Sequence, residues 1–406
     1  MVAHPEGVKH VLLDNAANYV KSFQAQRQLR PALGNGLVTA EGASWRFQRR
    51  TAAPMFQKRQ IATFAPAMAK ATEIVLARWR ALPDGSVIEA ADEMMRLTYD
   101  IISRTMFSHD VTMDYRSMSA ALATYFENVG RVDIAGALGL PPWFPTPRGL
   151  RAWPALRFFR REMEALIARR RAVIESDPVS APQDLLTLLL TARDPEGGTL
   201  FGEAEVFDNV MTFIFAGHET TANALAWTFY LLSEFPQWDT RVASEANDVL
   251  EDGAPDAKSV ARLLQSKMVL EEAMRLYPPA PLMARDAVGA DTVGGIAVDA
   301  GTFVLLPIWV IHRHRELWSD PEAFDPERFA VGRRDQIHRF AYLPFGGGQR
   351  VCIGMGFAMQ EAAIILSMIA REFRLQLVPG HPVEPMARIT LRPHHGLKMT
   401  LSRRSS

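Results

Sequence analysis

The chain contains a single cysteine, Cys352, in the stretch FGGGQRVCIG, with glycines on both sides of it. A lone cysteine cannot close an internal disulfide, which leaves it as a small buried hydrophobe, a reactive thiol or a metal-binding thiolate. Gly346, Gly347 and Gly348 allow a tight turn that is expected to bring backbone N–H groups toward the sulfur and stabilise negative charge there. Gly354 opens an apolar helix over 355–369, where a missing side chain would let a large planar group lie flat; Arg350 adds a cation two residues before the thiol.

A second constellation is Ala216-Gly217-His218-Glu219-Thr220-Thr221, inside a helical segment over 203–235 that stops at Pro236. Such a helix is roughly 50 Å long at about 1.5 Å per residue, enough to cross a whole domain. Gly217 is flexible, and Thr220 can bond back to the carbonyl of Ala216, so a bend or bulge with a groove is expected there. Phe213, Ala216, Gly217 and Thr220 recur at helical spacing and share one face. From spacing alone Glu219 reads first as a surface carboxylate and Thr220 as a core hydroxyl, ahead of any catalytic role. His218 reads as structural.

Glu272 and Arg275, at i and i+3, share a helix face that Pro278 ends, and Arg328 follows in Pro326-Glu327-Arg328-Phe329. Trp45 and Arg49 lie one helical turn apart, and Arg285 follows the proline-rich run 278–281. His312 and His314 lack a nearby third ligand, and no metal site is expected of them.

Most of the chain reads as helix, broken at 140–149, 177–182, 194–198, 251–256 and 278–281. Between 283 and 308, Gly294-Gly295 and Gly301 punctuate runs of Val, Ile and Thr, which predicts two or three strands. The expected architecture is mainly α with a small β-sheet region: one domain over 1–406, its β part around 283–308 joined by N- and C-terminal strands. The basic segment 157–171 carries acids and helical apolar spacing, and reads as the solvated face of an ordinary helix.

Phe345, Gly348, Arg350, Cys352 and Gly354, in that order, resemble the haem-binding loop of the cytochrome P450 family. That resemblance implies a P450 fold, haem b (iron protoporphyrin IX) as cofactor and Cys352 as the axial thiolate ligand of its iron. Phe345, Gly346 and Gly354 would cradle the ring from one side, and Ala216 and Gly217 from the other. Thr220 would hydrogen-bond dioxygen and Glu219 would deliver protons as general acid. Glu272, Arg275 and Arg328 would form a buried charged network behind the haem loop. Trp45, Arg49, Arg285 and Arg350 would face the haem propionates, for which guanidinium forks are well suited.

The implied activity is a monooxygenase that inserts one oxygen atom of O2 into an apolar, fatty-acid-like substrate lined by Phe213, Ala216, Leu282, Met283 and a loop over 28–38. A peroxide-driven peroxygenase and a non-catalytic haem or ligand-binding protein are the alternatives. No flavin or nicotinamide motif stands out, so electrons are expected from a separate ferredoxin or flavodoxin with its reductase, docking on Arg49, Arg50, Lys58 and Arg59. Family members usually begin with a helix and two strands before the segment that HPEGVKHVLLDN resembles. The expectation is therefore a small sheet short of its first strands, with an exposed edge.

Composition narrows the classes further. Lys plus Arg equals Asp plus Glu at 45 each, so no net field draws the chain to nucleic acid or an anionic membrane. The longest apolar runs, at 302–311 and 362–370, are well short of the roughly 18 residues a span requires. A single Cys and no secretory signal make a reducing cytoplasm the expected location.

Overall fold

The computed structural model describes residues 1–108, 114–129, 146–193, 197–250, 253 and 255–404. Of the expected breaks, 140–145, 194–196, 251, 252 and 254 lie outside the described residues.

Among the described residues, helices of ten residues or more are α1 (Phe23–Leu33), α2 (Gly42–Ala52), α3 (Ala65–Arg80), α4 (Ala90–Met106), α5 (Tyr115–Val129), α6 (Pro147–Ser176), α7 (Glu203–Glu234), α8 (Pro236–Leu250), α9 (Leu264–Leu276) and α10 (Met355–Glu372). Their starts follow local chemistry. Glu89 accepts the N–H of Asp92 ahead of α4, Thr146 accepts that of Gly149 at α6, and Glu205 accepts the N–H of Gly202 to open α7. Pro236 lacks a donor for α7 to continue and becomes the first residue of α8 instead.

The strands are short: β1 (Tyr19–Lys21), β2 (Val87–Glu89), β3 (Met283–Ala287), β4 (Asp291–Val293), β5 (Ile296–Val298), β6 (Phe303–Leu306), β7 (Phe373–Leu377), β8 (Pro385–Ala387), β9 (Leu391–Pro393) and β10 (Lys398–Arg403). Antiparallel sheets run β1-β3-β6 and β2-β10-β7, with hairpins β4-β5 and β8-β9. The stretch 283–308 thus holds four strands rather than two or three, because Gly294 and Gly295, both at positive φ, fold β4 back on β5 as a separate hairpin. The outer edge of β6 is partly covered: the N–H of Val2 donates to Leu305 O at 2.9 Å.

One apolar core joins α3, α4, α7, α9 and α10, and a second lies between the β1-β3-β6 sheet and the N-terminal segment. α7 runs through the first core and packs most extensively on α4. A Cβ at Gly217 would stand 2.7 Å from Ile102 Cδ1, so this glycine permits close helix packing. The expected bulge is not present: α7 is α-helical from Glu203 to Glu234.

In the basic segment, most arginines face solvent as expected, but Arg170 is fully buried. It donates to Asp184 at 2.5 Å, Thr187 at 2.7 Å and Phe107 O at 3.2 Å. The helix turns it inward onto a buried carboxylate that the apolar pattern does not reveal.

Candidate active site

The cysteine loop is built by two glycines in the left-handed region. Gly346 has φ 72° and Gly348 has φ 66°, and a Cβ on Gly348 would fall 1.9 Å from the carbonyl oxygen of Leu12. We expect G348A to cost about 3 kcal/mol or more through strain and steric overlap, read as lower thermal stability and haem content. The turn lets Cys352 donate its N–H to Phe345 O at 2.9 Å.

The N–H groups acting on the sulfur come from Gly354 and Met355, at the start of α10, and not from the three glycines before it. The neighbouring cation is Arg49, not Arg350. Arg49 donates to Val351 O at 2.9 Å, and its charge and that of Cys352 act on each other. Burial pushes the Cys352 thiol up; the two N–H groups and Arg49 oppose it. Yet Cys352 is solvent-accessible. Both hold for a group on the wall of an internal cavity.

α7 is joined to this loop through Phe56. Residues 209–215 and 221–229 are all buried, but Ala216 between them is exposed, and Gly217 and Thr220 are partly so. An exposed alanine within a buried helix marks a hollow inside the protein. Phe213, one turn earlier, stacks on Phe56 with ring centroids 5.5 Å apart, and Phe56 would lie 3.9 Å from a Cβ on Gly354. That same added Cβ would lie 3.9 Å from Cys352 Sγ, so its absence keeps the face beside the sulfur clear. Met283 approaches the Gly346 turn, and Leu282 is half-exposed. The expected loop over 28–38 is helical as far as Leu33, within α1.

Thr220 Oγ1 donates to Ala216 O at 2.9 Å. Glu219, the next residue round the helix, is buried and turned away, accepting from Thr390 Oγ1 at 2.5 Å in the β8-β9 hairpin. Burial pushes its carboxyl up, opposed by Thr390 and then by the positive Arg392. His218 binds Ile214 O through Nδ1 at 2.6 Å and packs edge-on against Tyr99; burial lowers its pKa to about 4.

At one margin of the site cations accumulate. The antiparallel register sets Lys21 of β1 directly opposite Arg285 of β3, a like-charge pair that is unfavourable by itself. Arg350 pairs with Glu41, donates to Ala40 O at 3.1 Å and stacks 4.4 Å from the Trp45 ring centroid. Burial and then Arg350 lower Arg285 to about 10 and Lys21 to about 7, with Glu41 pulling the other way. A cavity of about 280 Å³ lined by Trp45, Arg285, Arg350 and Glu41 opens here. Arg46, Arg285 and Arg350 line this cavity with Glu41, and Lys21 stands beside them partly charged, so the excess of positive charge calls for further negative charge.

The donor set therefore fits haem: a lone thiol, side-chain-free surface beside it, a hollow under α7 and excess cations for two propionates. Trp45, Arg285 and Arg350 gather at the cationic margin, whereas Arg49 turns to the cysteine loop. Sequence reasoning missed Lys21, Glu41, Phe56 and Thr390. A basic residue ending the short run YVK was the only signal, and strand register was needed to use it.

Behind the loop, Arg275 holds Glu272 bidentately at 2.7 and 2.7 Å and also donates to His312 O, Pro321 O and Ala323 O. Arg328 reaches Glu272 at 3.4 Å, Ser319 at 3.2 Å and Asp320 O at 2.9 Å. All three charged residues are buried. His312 accepts the N–H of Leu343 at 2.8 Å through Nε2, with Nδ1 3.1 Å from Arg275 O, which occupies both ring nitrogens.

A family model described as Cytochrome P450 matches residues 1–400. Cyclooctat-9-en-7-ol 5-monooxygenase of Streptomyces melanosporofaciens is 35% identical over 385 residues, covering 94% of this chain and 81% of its own. Cyclooctatin synthase of the same organism is 34% identical over 389 residues, covering 96% and 83%. The solved cytochrome P450DA heme domain superposes with a TM-score of 0.88 at 27% identity, covering 100% of this chain and 87% of that one.

Proposed function

The chain belongs to the cytochrome P450 family and is a haem monooxygenase, and from that premise we propose how its own residues divide the work. The family membership brings a small-molecule substrate, O2 and a redox partner. When bound, haem supplies the redox chemistry that activates O2 and transfers one oxygen atom to substrate.

Cys352 would hold the iron, and the N–H groups of Gly354 and Met355 with Arg49 would stabilise its thiolate once the metal displaces the proton. Lys21, Arg285 and Arg350 would take the propionates, with Trp45 supporting Arg350. Glu272, Arg275 and Arg328 would brace the segment that presents the loop. The observation that carries this reading is an accessible Cys352 on a glycine-built loop, with Phe56 lying between Gly354 beside it and Phe213 of α7, one turn before the exposed Ala216.

Thr220, with its proton on Ala216 O, has lone pairs free to accept a hydrogen bond, and rotation about Cα–Cβ lets it donate one. Glu219 holds a proton more readily than an exposed carboxyl because it is buried, so it can pass one on and be refilled along the Thr390–Arg392 side. T220A is expected to keep haem loading while lowering product per O2 consumed by about 10²-fold. An oxygen electrode with product chromatography measures this; wild-type coupling in T220A would remove Thr220 from the reaction.

The substrate is apolar, bounded by Phe213, Ala216, Leu282 and Met283; fatty acids and cyclooctat-9-en-7-ol are the first to try. Residues 1–406 act as one catalytic unit in the cytoplasm. Among the described residues no helix is long and apolar enough to cross a membrane. Electrons come from an acidic ferredoxin or flavodoxin docking on Lys58 and Arg59, both exposed beside Ile61, which abuts Gly356 of α10. Arg49, expected in that patch, faces the cysteine loop instead.

The decisive experiment compares turnover with reductant and ferredoxin against turnover with peroxide, after recording the dithionite-reduced, carbon monoxide spectrum. A Soret band far to the red and product only with reductant support the reading. Product with peroxide and none with reductant and partner favours a peroxygenase, and tight ligand binding with no product under either supply favours a ligand-binding protein.

A further inference from the structure

The β8-β9 hairpin carries a second group of ligand-type side chains, separate from the cysteine loop. Glu384 precedes β8, and His394 and His395 follow β9, so the three close the open end of the hairpin. Glu384 Oε2 lies 3.3 Å from His395 Nε2 and 3.6 Å from His394 Nδ1. All three ligand atoms lie within 4.8 Å of one another. A tetrahedral ion with bonds of about 2.0–2.2 Å sets its ligand atoms about 3.3–3.6 Å apart, so two of the three separations already match.

Consecutive strand residues point to opposite faces. His394 and His395 escape that rule because they form a turn before Gly396, whose φ is 69°, and their ring centroids come within 4.4 Å. The backbone is also set: His394 N–H donates to Glu384 O at 2.8 Å, joining the two ends of the hairpin. Solvent exposure of all three leaves a fourth position for water.

We propose that Glu384, His394 and His395 bind a divalent transition-metal ion of zinc-like preference, which clamps the base of the β8-β9 hairpin. Two imidazoles and one carboxylate suit zinc and its neighbours rather than calcium or magnesium, which take all-oxygen sites. The clamp matters because this hairpin carries Thr390, which donates to Glu219, and Leu391, whose carbonyl accepts from Trp227 Nε1 of α7 at 3.2 Å. Metal binding itself does not depend on the oxygenase reading.

The test is calorimetric titration of zinc chloride, in a non-chelating buffer, into haem-loaded wild type and into E384Q, H394A and H395A. Hydrogen exchange is followed over 386–392, and the reduced carbon monoxide spectrum of each variant reports its folding. One zinc per chain is expected, weakened more than about tenfold in every variant, with slower exchange of the hairpin amides on zinc only in the wild type. No binding at millimolar zinc, or binding that the three variants leave unchanged, overturns the site. Unchanged exchange at saturation overturns the clamp.

Discussion

Replacing Cys352 by serine is expected to abolish oxygenation and remove the far-red Soret band of the reduced, carbon monoxide-bound protein. A thiolate is a soft, electron-rich ligand whose donation favours O–O cleavage, and a serine oxygen offers neither property. The surroundings sharpen the difference. Burial pushes even the thiol up, and the N–H groups of Gly354 and Met355 with Arg49 only partly offset this, so an alcohol of far higher pKa would stay protonated. We expect turnover to fall at least about 10³-fold, equivalent to about 4 kcal/mol of barrier. Cys352 is solvent-accessible and adds little to the core, so the far-ultraviolet circular dichroism of C352S should match the wild type. Turnover within tenfold of wild type in a folded C352S would sink the assignment of this residue as the iron ligand.

The second large effect is on stability. R275A removes a fully buried guanidinium that holds Glu272 bidentately, caps three backbone carbonyls and stands 5.1 Å from the Trp318 ring centroid. What stays behind is a buried Glu272 with only Arg328 at 3.4 Å and the N–H of Asp325 at 2.9 Å, plus three carbonyls without their donor. Breaking such a pair costs about 3–5 kcal/mol. Domains are stable by only about 5–15 kcal/mol, so expression and haem loading should fall sharply. Differential scanning calorimetry should place R275A on the order of 5 °C below wild type. R328A should lose less, because Arg328 reaches Glu272 at a longer distance. Equal melting of R275A and wild type would show that the network is not structural.

The parts legible in the sequence were those in which short spacing fixes neighbours. Thr220 bonds back to Ala216 and Glu272 meets Arg275 because a helix turns every 3.6 residues, whatever it packs against. The turn before Cys352 was legible for a similar reason: residues at positive φ are best made by glycine.

Where reading failed, a distant segment supplied the partner. Gly346 to Gly348 shape the loop, but the N–H groups reaching the sulfur lie beyond the cysteine, at the helix start. Arg49 left the expected propionate group for the cysteine loop, where it meets Val351, and Arg350 meets Glu41 rather than the thiol; both pairs are more than three hundred residues apart.

By itself the sequence determined that this chain has one thiol on a glycine-built turn, a long helix with small residues at its centre, and a mainly α fold with a small sheet. Only the tertiary structure decided that Glu219 faces Thr390, that Lys21 stands opposite Arg285, and that Ala216 borders a hollow. Strand register and helix packing place those side chains, and both are set by the sum of many weak apolar contacts across the chain, which local spacing does not encode.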